Sequence, residues 1–127
     1  MAGIRVLIVD DSSVMRKIVE RALRQAELEL DTVFEAANGA EGLDLLGSKQ
    51  VQLVLSDITM PSMDGLEFLR QLRARNLAAG VPVVMITTES SEEHVKQAIL
   101  AGAQGYIRKP FTAEQVKERV LPLVGAA

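Results

Sequence analysis

Five short apolar runs alternate with five amphipathic stretches along this chain, and that alternation restricts the fold more than any other feature. The runs cover residues 4–9, 31–36, 51–55, 81–86 and 105–107. Three of them are dense in Val, Ile and Leu rather than alternating with polar residues, the pattern of strands buried on both faces of a parallel sheet. The other two are expected nearer the sheet edges. Strand then helix, five times over, predicts an α/β domain with a five-stranded parallel sheet, helices on both faces and right-handed crossovers, a doubly wound (βα)5 fold.

The first amphipathic stretch places Met15, Ile18, Val19, Ala22, Leu23 and Ala26 on one helical face. Arg16, Lys17, Glu20, Arg21 and Arg24 turn away from it, giving one side for the core and one for water. Helix starts are written as a capping residue followed three positions later by Glu or Gln: Asn38 with Glu41, Asp64 with Glu67, Ser90 with Glu93, Thr112 with Gln115. Gly102 and Gly105 are read as closing the fourth helix and opening the last strand. The final helix is expected to begin after Thr112, to bury Val116 and Val120, and to kink or end at Pro122.

A chain of 127 residues with 48% hydrophobic content has the apolar stock of one globular domain, spanning 1–127, with no room for a second. Its longest apolar runs are strand-length, far short of the roughly 20 residues of a membrane helix, so no membrane association is expected. Residues 1–10 carry a single basic residue and meet two acids at once, which fits no secretory signal; the cytoplasm follows as the expected location. The absence of cysteine excludes disulfides, thiolate metal sites and cysteine nucleophiles. A net charge of −3 without a dense Lys/Arg run leaves little electrostatic footprint for a phosphate backbone, so nucleic acid is not an expected partner.

Ligands of open α/β sheets sit beyond the carboxyl ends of the strands. There the sequence supplies Asp10-Asp11 after the first run, Ser56-Asp57 after the third, Thr87-Thr88 after the fourth and Arg108-Lys109-Pro110 after the fifth. Taken singly each has a bland explanation: an Asp after a strand is usually a turn residue, a Thr a strand former, a Lys a solvated charge. Their joint placement at the same end of successive strands is harder to assign to chance. In a sheet ordered 2-1-3-4-5, Asp57 would stand on the middle strand with its neighbours about 4.8 Å away on either side and strand five about 10 Å away. Short side chains from Asp10, Asp11 and Thr87, and the long stem of Lys109, match those reaches.

Three carboxylates so close repel one another, and a divalent cation relieves the repulsion. An all-oxygen donor set that leaves room for water and a phosphate suits Mg²⁺ better than a caged Ca²⁺ or a nitrogen- or sulfur-seeking metal. With Mg²⁺ and Lys109 the positive and negative charges balance. The chemistry such a site allows is attack by a carboxylate on phosphorus to give an aspartyl phosphate, with cationic groups stabilising the transferring charge. Asp57, flanked on both sides, is the expected nucleophile. Asp11 is expected to ligate the metal directly and Asp10 mostly through water.

Taken together, Asp10-Asp11 after a hydrophobic strand, Asp57 within Leu55-Ser56-Asp57-Ile58-Thr59-Met60-Pro61 followed by Met63-Asp64-Gly65, Thr87, and Lys109-Pro110-Phe111 resemble the receiver domain of bacterial response regulators over essentially the whole chain. The 2-1-3-4-5 order used above is that family's, the chemotaxis receiver being a standard instance of it, and is not read from spacing or periodicity. The resemblance implies a flavodoxin-like fold, a phosphoryl group taken by Asp57 from a phosphohistidine on a sensor histidine kinase, and a metal site completed by the backbone carbonyl of Thr59. It implies that Lys109-Pro110 is a cis peptide, that Thr87 and Tyr106 form the switch, and that the surface of helix four, strand five and helix five is read by a downstream effector. Thr59 and Glu89 occupy positions that tune phosphate loss in the family. Residues 11–16, Glu89, Tyr106 and the lack of an output domain resemble the stand-alone chemotaxis receivers in particular. This further implies a monomer, an effector such as a flagellar motor switch component, a possible phosphatase, and no enzymatic activity beyond its own phosphorylation and dephosphorylation.

Other readings share parts of this pattern. A flavodoxin-like electron carrier would place a flavin phosphate at the first loop, where Asp10 and Asp11 would repel it. A Mg²⁺-dependent aspartyl-phosphate phosphatase would want a second acid near the nucleophile to protonate a leaving alcohol, and two positions past Asp57 stands Thr59. An inactive scaffold would lack some member of the set, yet all are present. His94 follows Glu92 and Glu93 and is read as a solvated helix residue.

Overall fold

The computed structural model describes residues 3–58, 65–77, 80–87 and 92–124, apart from the side chains of Thr87, Glu92 and His94. Strand and helix alternate as β1 (Ile4–Val9), α1 (Ser13–Gln25), β2 (Leu30–Ala36), α2 (Gly39–Ser48), β3 (Leu53–Ser56), α3 (Gly65–Ala74), β4 (Val83–Thr87), α4 (Glu92–Leu100), β5 (Gly105–Arg108) and α5 (Ala113–Val124). The strands form one parallel sheet in the order β2-β1-β3-β4-β5, with the two less apolar strands at its edges. Among the described residues no helix is long and apolar enough to cross a membrane.

Alternation along each strand divides the core in two. Val6 and Ile8 of β1, with Leu53, Leu55, Val84 and Ile86, pack against Val19 and Leu23 of α1 and Val116 and Val120 of α5. Leu7 and Val9, with Val54 and Met85, pack on the other face against Leu43 of α2, Phe68, Leu69 and Leu72 of α3, and Ala98 of α4. Each fully buried Leu or Phe stabilises the fold by about 1.5–3 kcal/mol relative to leaving it in water.

The ends of the elements follow their local chemistry. The Asn38 side chain accepts the Glu41 N–H at 2.9 Å, while Glu41 reaches back to the Ala37 N–H at 2.8 Å. Thr112 and Gln115 exchange a reciprocal pair at 3.1 and 2.9 Å. Gly102, at φ +112°, closes α4 in the left-handed region, and Arg73 of α3 donates to its carbonyl at 3.1 Å. Asp64 and Ser90, expected caps of α3 and α4, lie outside the described residues.

Five expectations need correction. β3 begins at Leu53 rather than 51, and β4 at Val83 rather than 81. Pro82, without an N–H, enters the sheet only through its carbonyl, which accepts from Val54 at 3.0 Å. α5 runs through Pro122 to Val124, so the proline does not end it; its missing bond falls in the last turn of a helix already anchored by Val116 and Val120. On α1, Ile18 is 45% exposed rather than part of the core. Arg16, expected in water, is turned inward with only 15% of its side chain exposed.

Candidate active site

β1 and β3 end level, Val9 pairing with Ser56. Their hydrogen bonding continues one residue further, the Asp57 N–H donating to the Val9 carbonyl at 3.0 Å and the Asp10 N–H to the Ala36 carbonyl at 3.0 Å. Asp10 and Asp57 are thereby set side by side at the carboxyl end of the sheet, 4% and 9% exposed. Asp11, the next residue, is exposed to solvent. One carboxylate oxygen from each of the three lies within 4.8 Å of the others. Such an all-oxygen set fits a hard divalent cation and offers nothing to one that seeks nitrogen or sulfur.

β5 supplies the cation. Arg108 pairs with Thr87 at the end of β4, Lys109 follows, and the Lys109-Pro110 peptide is cis. Although β5 lies two strands from β3 and three from β1, the Lys109 stem spans the gap. Its ammonium donates to Asp57 Oδ2 at 3.2 Å and to Asp10 Oδ2 at 3.0 Å. All three groups are largely buried, so this attraction is screened far less than a surface pair. Of the remaining expected site residues, Thr87 has its backbone at the same sheet end, and Thr59 lies outside the described residues. Tyr106 stands in β5, partly buried against the core, with the Arg119 guanidinium 6.0 Å from its ring centroid.

Further groups that sequence reasoning missed stand around the first loop, on α1 and β2. Ser12 caps α1, its hydroxyl accepting the Met15 N–H at 3.1 Å, while its own N–H donates to Asp10 Oδ1 at 2.9 Å. Arg16 donates through Nη1 to the Asp10 backbone carbonyl at 2.6 Å and through Nε to Glu35 Oε1 at 2.8 Å. Lys17 takes the other Glu35 oxygen at 2.7 Å. The hydrogen bond from Lys17 is the main cause holding the Glu35 carboxyl below its ordinary value; partial burial opposes it and the Arg16 bond adds to it. The same bond raises Lys17. Periodicity alone could not reveal Arg16, because its inward turn depends on Glu35, brought from the neighbouring strand.

The family model of the response regulator receiver domain matches residues 6–121. The chain belongs to the response regulator receiver family. This receiver is 39% identical over 122 residues to a chemotaxis protein CheY homolog of Campylobacter jejuni, the alignment covering 95% of this chain and 92% of the relative. Among solved structures it is similar to the chemotaxis protein CheY4 of Vibrio cholerae, with a TM-score of 0.82, 34% identity, and 96% and 99% of the two chains covered. The receiver domain of the Pseudomonas aeruginosa sensor histidine kinase PA1611, whose structure has a magnesium ion coordinated in the active site cleft, shares the fold at a TM-score of 0.84. That match is 24% identical over 98% of this chain and 100% of the other.

Proposed function

We propose that this receiver is a phosphorylation-operated switch of a two-component system, accepting a phosphoryl group on Asp57 from a phosphohistidine of a sensor histidine kinase. The observation that carries this reading is the convergence of the Asp10, Asp11 and Asp57 carboxylates within 4.8 Å, with Lys109 bridging two of them. A carboxylate oxygen of Asp57 attacks phosphorus; the new O–P bond replaces the N–P bond, whose electron pair stays with the imidazole. Asp10, Asp11, Asp57 and the Thr59 carbonyl would hold Mg²⁺. The ion, when bound, supplies positive charge to the oxygens of the transferring group.

Asp11, exposed and beside the nucleophile, is suited to direct ligation. Asp10, with Oδ1 taken by Ser12 and Oδ2 by Lys109, is suited to ligation through water. Lys109, once a phosphoryl group is present, can move its hydrogen bonds from the carboxylates to phosphate oxygens, and the Thr87 hydroxyl would donate to the phosphate as well. Tyr106 would follow Thr87, biasing two pre-existing states of the α4, β5 and α5 surface. On that surface a groove of about 440 Å³ is lined by Tyr106, Ile107, Arg108, Gln115, Glu118 and Arg119, room for a partner segment.

The names of the chemotaxis relatives support a role in chemotaxis, with an effector such as a flagellar motor switch component and a possible phosphatase as partners. We read the chain as a cytoplasmic monomer whose only catalysis is its own phosphorylation and dephosphorylation. The test is incubation with acetyl phosphate, with and without Mg²⁺, read by intact mass. One phosphoryl group, dependent on Mg²⁺ and absent in Asp57→Asn, is the expected result. Multiple turnover of small phosphate esters would instead favour the phosphatase.

A further inference from the structure

Asp10 is held at four points: its N–H by strand pairing, its carboxylate by the local turn at Ser12 and by Lys109, and its carbonyl by a side chain of α1. That oxygen accepts Arg16 Nη1 at 2.6 Å, the shortest of the four, the others being Ala36 at 3.0 Å, Ser12 at 2.9 Å and Lys109 at 3.0 Å. The Asp10 carbonyl belongs to the same planar peptide as the Asp11 N–H, so fixing it fixes the direction in which the Asp11 chain leaves the strand end. Asp11 needs such support: it is exposed, and among the described residues no group donates to its carboxylate.

We infer that Arg16, locked by Glu35, is a positioning residue that orients the Asp10–Asp11 peptide for divalent cation binding; this rests on the reading of the acidic cluster as a Mg²⁺ site. Arginine has the geometry the task requires. Its planar fork presents Nε to Glu35 and Nη1 to the carbonyl at once, in directions one guanidinium fixes, whereas a lysine has a single flexible ammonium. Glu35 completes the device by balancing a mostly buried cation that would otherwise compete with Mg²⁺ for the field of the acids. Lys17, on the remaining Glu35 oxygen and 67% exposed, lies outside this function.

The test titrates MgCl2 into the ¹⁵N-labelled protein and follows amide shifts of residues 10–12 and 57, with circular dichroism confirming the fold of each variant. Arg16→Lys keeps the charge and loses the fork, and is expected to weaken Mg²⁺ binding about tenfold, the scale of supports one layer behind a metal ligand. Glu35→Gln is expected to weaken it by less, and Lys17→Gln not at all. Should Arg16→Lys fail to fold, the contrast between Glu35→Gln and Lys17→Gln decides. Unchanged Mg²⁺ affinity in folded Arg16→Lys and Glu35→Gln, or equal weakening in Glu35→Gln and Lys17→Gln, overturns the inference while leaving the metal site standing. A wild-type protein that gives no Mg²⁺-dependent shifts overturns the metal site itself, and the inference with it.

Discussion

The ammonium of Lys109 lies 3.2 Å from Oδ2 of Asp57, a residue 52 positions earlier in the chain. The same ammonium touches Asp10, 99 positions away, so one side chain ties β5 to β3 and β1 at the sheet end where the acids converge. Its charge offsets part of the repulsion among three carboxylates, and a divalent cation would offset the rest.

Removing either member of that pair should have opposite effects. Lys109→Met leaves Asp10 and Asp57 buried without their cation, and loss of one partner of a buried pair costs about 3–5 kcal/mol. Asp57→Asn relieves repulsion with both neighbouring acids while Lys109 keeps Asp10, so it should be more stable than wild type in chelator. Urea melts with EDTA and with MgCl2 check both: MgCl2 should raise the midpoint of wild type and recover part of the loss in Lys109→Met, and should do least for Asp57→Asn.

Gly65 begins α3 pressed against the backbone that carries the nucleophile. Its N–H donates to the Ile58 carbonyl at 2.7 Å, and a Cβ there would overlap the Asp57 carbonyl oxygen and meet Ile58 Cα at 2.8 Å. Gly65→Ala should therefore destabilise by about 1–3 kcal/mol, the range for overpacking, and slow labelling by acetyl phosphate. Gly47 of α2 is the control, since a Cβ there meets nothing within 4 Å. Gly47→Ala should stabilise by about 0.5–1 kcal/mol, as an Ala-for-Gly exchange in a helix does.

Acid should act on Glu35. Its folded carboxyl is held below the ordinary value of 4.5, first by the Lys17 hydrogen bond, so the unfolded chain binds the proton more readily. The stabilisation is fully present above that ordinary value and is lost as the pH falls through the lower, folded one. Urea midpoints of wild type and Glu35→Gln, compared from neutral pH downward, should differ most at neutral pH and converge on acidification. A difference that stays constant with pH would refute the assignment to Glu35.

Local chemistry by itself determined much of this protein. Apolar runs and helical periodicity marked ten elements, because burial on a strand or helix face needs only the residues of that element. Capping residues marked helix starts, because Asn38 and Thr112 bond N–H groups three positions away. The motif around Asp57, with Asp10, Asp11, Thr87 and Lys109, carried the family and with it the strand order.

Tertiary structure decided what depends on neighbours distant in the chain. Register brought Val9 level with Ser56 and so set Asp10 beside Asp57. Strand order determined that Lys109 must cross to both acids. Arg16 read as a solvent-facing residue of an amphipathic helix, and only the neighbouring strand, with Glu35 at its end, turned it inward. A side chain's local pattern records which face it occupies; the partner that makes burial of a charge favourable comes from another element, and only folding brings the two together.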